Sequence, residues 1–131
     1  MGRKFVPSTR DYLGSKIKEI MKIVSFLFAA MFYIYIIYST KSDKYYTGMT
    51  SDVVRRIEEH NDPSRENKYT VKHLPWELKL FFEVSEIRGE ALIVERFLKN
   101  QKSRTFLEKL ISEKDNPAYF KSLVENILWR R

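Results

Sequence analysis

Two tyrosine clusters, Tyr33-Ile34-Tyr35 and Tyr45-Tyr46-Thr47-Gly48, flank a polar stretch, and this arrangement constrains the fold more than any other feature of the chain. Both runs are aromatic and β-branched, and Ser39-Thr40-Lys41-Ser42-Asp43-Lys44 between them has the composition of a turn, so the segment reads as a β-hairpin. Residues facing each other across an antiparallel hairpin have numbers of constant sum. A turn centred between Thr40 and Lys41 sets Tyr35 opposite Tyr46, on one sheet face with Cβ atoms about 5 Å apart. A helix beginning near Thr50 or Ser51 and stopped by Asn61-Asp62-Pro63 follows, and on it Arg56 and His60 are i,i+4 neighbours. Two phenols, a guanidinium and an imidazole therefore arise from one short stretch of chain.

The remaining composition suits one compact domain: 131 residues, 44% hydrophobic and 31% charged. A net charge of +7 and a pI near 9.6 favour a polyanionic partner, because phosphates attract Lys and Arg without sequence-specific contacts. An acidic protein surface or anionic lipid would satisfy the same excess. Cysteine is absent, which excludes disulfide frameworks, thiolate zinc sites and cysteine nucleophiles and agrees with a reducing cytoplasm.

Residues 1–22 are polar and basic, whereas Ile23 to Thr40 carries no charge. Eighteen uncharged residues approach the lower limit for a bilayer span, and a basic segment ahead of an apolar one resembles a signal peptide. Yet the second half of that run is the tyrosine-rich strand the hairpin needs, and a small-residue cleavage site is missing. Residues 1–30 therefore read as an N-terminal extension, basic and then an apolar helix or disordered arm over Lys16 to Met31. The folded domain spans 31–131. Ser64 to Pro75 reads as a polar loop, in which His73 has no evident partner, and Trp76 to Val84 reads as a third strand. Glu90 to Gln101 is a helix with Leu92, Val94, Phe97 and Leu98 inward, and Ser103 caps a short helix after it. Asn116-Pro117 opens a last amphipathic helix with Phe120, Leu123, Val124, Ile127 and Leu128 on one stripe. The expectation is an α+β fold: a small three-stranded, mainly antiparallel sheet flanked by helices.

Tyr33-Ile34-Tyr35, ten residues, Tyr46-Thr47-Gly48, then Arg56, His60 and a helical Glu95 together resemble the GIY-YIG nuclease superfamily. The nearest flavour is the small stand-alone bacterial type related to the catalytic half of the excinuclease. Lys68-Tyr69-Thr70, Pro75-Trp76-Glu77-Leu78 and Lys102-Ser103-Arg104 look like that subgroup as well. Two letters differ, Tyr33 for the first glycine and Thr47 for the second isoleucine, and Met49 stands where excinuclease-like members often carry lysine.

The resemblance implies a GIY-YIG endonuclease fold and metal-dependent hydrolysis of phosphodiester bonds in DNA, in the cytoplasm, in repair, recombination or defence. Glu95 is then the metal ligand for Mg²⁺ or Mn²⁺, since a lone carboxylate with waters and substrate oxygens suits a reluctantly dehydrated ion. Its structural alternative is a helix-surface pair with Lys99. Tyr35 is the preferred base, acidified by Arg56 and the metal, with Tyr46 orienting water or phosphate; the alternative for each is a buried ring with a wet hydroxyl. Arg56 offers a planar fork to the scissile phosphate, against a helical salt bridge with Asp52. His60 donates to phosphate or relays a proton, against a role as a helix C-terminal histidine. Arg55, Lys68, Lys72, Lys99, Lys102 and Arg104, with Arg96 and Lys109 nearby in sequence, are candidates for tracking the phosphate backbone. A catalytically weak nucleic-acid-binding module that acts with a protein partner is the second reading, and a membrane tether through residues 23–31 the third.

Overall fold

The computed structural model describes residues 8–27, 30–65 and 68–130. Residues 1–30 and 31–131 form separate compact units. In the first, α1 (Thr9–Leu27) starts earlier than the sequence suggested, because the Ser8 hydroxyl accepts from the Asp11 amide at 3.2 Å and opens the helix there. Leu13, Ile17, Ile20 and Val24 are exposed on it. The uncharged run from Ile23 divides between the end of this helix and the first strand. Among the described residues, no helix is long and apolar enough to cross a membrane.

The second unit is built on a three-stranded antiparallel sheet of order β2-β1-β3, with β1 Phe32–Ser39, β2 Lys44–Thr50 and β3 Trp76–Ser85. β1 is central, which is why its sequence is apolar at nearly every position: Ile34 and Ile36 face one side while Tyr35 and Ile37 face the other, and all four are buried. The hairpin register differs from the expected one by two residues. Tyr35 pairs with Gly48, and Tyr46 pairs with Ile37. The cause lies in the turn. β1 runs on through Ser39, which pairs with Lys44, and the loop is Thr40 to Asp43, with Asp43 in the left-handed region at φ 52, a conformation aspartate tolerates. The Ser39 hydroxyl accepts from the Ser42 amide at 3.1 Å and donates to the His73 carbonyl at 2.6 Å. A shift of two conserves the pleat, so Tyr35 and Tyr46 still share a face, as diagonal rather than direct neighbours.

α2 (Val53–His60) is capped by Asp52, whose carboxylate accepts from the Arg55 amide at 3.1 Å; Asp52 thus serves the helix end and not a salt bridge to Arg56. Asn61 ends α2 and clips it to the sheet, its amide accepting from the Trp76 amide at 2.7 Å and donating to the Trp76 carbonyl at 3.0 Å. The expected loop before β3 contains a short helix, α3 (Lys68–Lys72), whose Thr70 carbonyl takes the Trp76 indole proton at 2.9 Å. α4 (Arg88–Asn100) buries Ala91, Val94 and Leu98, so Ala91 and not Leu92 is the inward residue of its first turns. α5 (Arg104–Ser112) and α6 (Pro117–Trp129) begin at the predicted caps: Ser103 accepts from the Phe106 amide at 3.1 Å and Asn116 from the Tyr119 amide at 3.3 Å.

Helices α4 to α6 supply Val94, Leu98, Leu110, Phe120, Val124 and Ile127 to the main core, against Ile34, Ile36, Leu80 and Phe82 of the sheet. Phe82 and Phe120 stack there at 4.6 Å. The opposite face holds a smaller cluster of Tyr35, Ile37 and Trp76, with Tyr46, Ile57, Leu74 and Leu78 at its margin.

Candidate active site

Tyr35 is the pivot of the smaller cluster. Its ring is 1% exposed and lies directly over Gly48, where any Cβ would overlap the phenol oxygen and Cζ. A side chain opposite Tyr35 would therefore force the buried phenol out of its place. The middle residues of the two triplets, Ile34 and Thr47, point to the other face and are buried. Alternation along the strands thus separates the packing letters of each triplet from the phenols.

From α2, His60 and Arg56 close on the Tyr35 hydroxyl. The phenol oxygen is 2.7 Å from His60 Nε2, and Arg56 Nε–H donates to it at 3.3 Å. Burial pushes the Tyr35 pKa up to about 12, against the hydrogen bond from Arg56, which lowers it. Burial, and then the charge of Arg56, pushes His60 down to about 4. At neutral pH the phenol is thus protonated and the imidazole neutral. Arg56 donates into the phenol oxygen, which leaves the Tyr35 O–H able to donate to His60 Nε2 in the tautomer that carries its proton on Nδ1. His60 is 3% exposed, so it is a buried partner of Tyr35 and not a solvated helix-end histidine. Arg56 thus lowers the Tyr35 pKa as expected, but desolvation outweighs the cation.

Tyr46 is partly open, its ring 6.4 Å from Tyr35 and 5.1 Å from His60. Lys99 Nζ sits 5.6 Å from the Tyr46 ring centre and pairs with Glu95 at 3.2 Å, so Lys99 of α4 links the Glu95 carboxylate to the Tyr46 side of the site. The charge of Glu95 is felt at Tyr35, where it adds to the upward shift. The Lys99 pair raised as a structural alternative is thus present. Glu95 is one-fifth exposed. Among the described residues, no three His, Asp or Glu side chains cluster to hold a metal ion.

The sequence missed Glu59. Its carboxylate accepts from Arg56 Nη1 at 2.8 Å, meets Arg65 at 3.0 Å and Arg55 at 3.7 Å, and so holds the guanidinium with its Nε toward Tyr35. Its i,i+3 spacing from Arg56 was the available signal. His73 has a partner too, with Nδ1 2.6 Å from the Ser42 hydroxyl. Of the proposed backbone contacts, Lys99, Lys102 and Arg104 line one cleft of about 400 Å³ with Lys44, Tyr46 and Tyr69. Arg104 is already engaged there by Asp43 at 2.5 Å and Glu108 at 3.0 Å. Lys72 is exposed, Arg55 is the helix-surface partner of Glu59 just described, and the side chain of Lys68 lies outside the described residues.

A family model described as the GIY-YIG catalytic domain matches residues 31–109, more than half of the chain. The chain belongs to the GIY-YIG family. No curated protein and no solved structure was found to match it. The GIY-YIG domain gives the chain a nuclease-type fold and implies nucleic-acid binding. In the GIY-YIG frame, Tyr35 closes the first triplet, Tyr46 and Gly48 bound the second, and Tyr35 of the first lies over Gly48 of the second.

Proposed function

We propose that this protein is a metal-dependent endonuclease that hydrolyses DNA phosphodiester bonds, acting in the cytoplasm in repair, recombination or defence. The observation that carries the reading is the hydrogen-bonded chain of Arg56, the Tyr35 hydroxyl and His60 Nε2, beside Tyr46 and within reach of the charge of Glu95. With its pKa near 12, the Tyr35 phenol is ionised in roughly 10⁻⁵ of free molecules at pH 7. It therefore serves as a base by exchange: its oxygen takes a proton from water while its own proton passes to His60 Nε2. The His60 imidazole is neutral and correctly aimed for that transfer. A scissile phosphate beside Arg56 offsets the positive charge that helps hold His60 neutral, which favours the transfer only when substrate is present.

Arg56 grips the phosphate with guanidinium N–H groups, and Glu59 keeps the plane of that fork fixed. Tyr46 orients water or a phosphate oxygen from the open side. Glu95 fits a hard divalent cation: it is a partly exposed carboxylate at a position that already attracts a positive group, Lys99. Mg²⁺ or Mn²⁺ bound there would supply charge neutralisation at the phosphate and a more acidic water. Lys99, released from Glu95, is then placed to pair with the DNA backbone.

The second reading, a weakly catalytic nucleic-acid-binding module acting with a partner, draws support from the same Glu95–Lys99 pair, which fills the carboxylate. A nicking assay on branched, single-stranded and duplex DNA with added Mg²⁺ or Mn²⁺ decides between them. Metal-dependent cleavage that Glu95→Ala abolishes supports the enzyme; binding without cleavage by the intact chain supports the module.

A further inference from the structure

We infer that Tyr69 is a stacking platform for an unpaired base next to the scissile phosphate, so that the preferred substrate is DNA with an unstacked nucleotide at the cut. The inference rests on the nuclease reading and names the substrate class of that site. Tyr69 is 44% exposed, and single exposed aromatics are ordinary on protein surfaces. Its surroundings are not. The ring is stacked on Trp76 at 6.3 Å with 29° between planes, and the edge of His73 braces it at 4.8 Å. Trp76 is itself buried and locked by its indole bond to the Thr70 carbonyl. The exposed tyrosine is thus a rigid plate with a fixed backing, which loses little side-chain freedom when a second ring lies on it.

Position and charge select the occupant. The Tyr69 ring is 6.2 Å from that of Tyr46, one ring away from the proposed chemistry. Lys44, Lys99 and Lys102 line the same cleft, and Lys41, Lys44 and Lys72 stand close enough to His73 to act on its charge. A flat aromatic plate in a lysine-lined cleft matches a nucleotide, whose base is a π-surface and whose flanking phosphates are anions. Bases within a continuous duplex present no free face, so one that meets Tyr69 must have left the stack. Cleavage at flaps, gaps or distorted pairs follows from that requirement.

The test compares equilibrium affinity of the full chain, with Ca²⁺ in place of the catalytic ion, for one DNA sequence in two forms: a continuous duplex, and the duplex carrying one unpaired 2-aminopurine. The intact protein should prefer the unpaired form by roughly 10- to 100-fold, the range expected of one base–aromatic stack, and should quench 2-aminopurine fluorescence. Tyr69→Ala should collapse the preference and the quenching together, while Tyr69→Phe, which keeps the π-face, should retain both. Equal affinity for the two DNAs, or a Phe variant as deficient as the Ala variant, overturns the inference. Fluorescence and affinity are read without cleavage. A protein that shows the preference but never cuts DNA therefore refutes the nuclease reading alone, whereas one that cuts without preference refutes only the stacking platform.

Discussion

The two faces of one sheet have been put to different uses. Toward α4, α5 and α6 the sheet presents Ile34, Ile36, Leu80 and Phe82 to an aliphatic and aromatic core. Such a surface is held by close packing. Toward α2 it presents Tyr35, Ile37 and Trp76, and the covering helix contributes His60 and Arg56, so burial here is accompanied by hydrogen bonds that cross from strand to helix. The lesson is that desolvation does opposite work on the two sides. On the first it stabilises the fold; on the second it shifts the Tyr35 phenol up and the His60 imidazole down, at some cost in stability.

The largest effect expected of this division is on chemistry at the α2 face. Tyr35→Phe removes the hydroxyl that links Arg56 to His60 and should lower the cleavage rate by about 10²- to 10⁴-fold, the usual worth of a positioned acid–base group. Affinity for DNA, measured by anisotropy, should change little, because the proposed backbone contacts lie elsewhere. Cleavage by the Phe variant at near the original rate would remove Tyr35 from the mechanism and erase the distinction between the faces.

Truncation on the opposite face should do the reverse. Leu110 of α5 is fully buried in the core, and Leu110→Ala should cost about 2–5 kcal/mol of stability by transfer and cavity terms. Denaturant titration should show the loss, while the cleavage rate per folded molecule stays close to that of the parent. A variant that unfolds no more easily but cuts poorly would mean that the core helices, and not only Glu95 on α4, tune the site.

Much of this division was legible in the sequence. The caps at Ser103 and Asn116 were readable because capping is local, and the shared face of Tyr35 and Tyr46 survived a misplaced turn because a strand repeats every two residues. Register itself was not legible. It depends on a four-residue loop with Asp43 in the left-handed region and on Ser39 bonding the carbonyl of a histidine far along the chain. Long-range ties escaped for the same reason: Asn61 clipped to Trp76 and His73 to Ser42 are visible only once the strands are paired. The sign of the shift at Tyr35 was also beyond reach. The sequence supplies the neighbouring cation, Arg56, but not the depth of burial that outweighs it.

The smallest effect, and the sharpest probe of the polar face alone, is its dependence on pH. His60 has a folded-state pKa near 4, below the value near 6.5 of a free histidine. Between those limits the unfolded chain binds a proton that the folded chain refuses. The stabilisation is therefore fully present above pH 6.5 and is lost progressively as pH falls toward 4. His73 is shifted in the same direction by burial and by Lys44, Lys72 and Lys41, so the intact protein carries both contributions and the comparison must be with a variant. His60→Gln should flatten the fall in stability between pH 6.5 and 4.5, leaving the share of His73 and of the carboxylates, which both proteins carry. Urea midpoints measured across that window give the two slopes. If they are the same, His60 is free to take a proton in the folded state, and the directed bond from Tyr35 to its Nε2 cannot be the resting arrangement of the site.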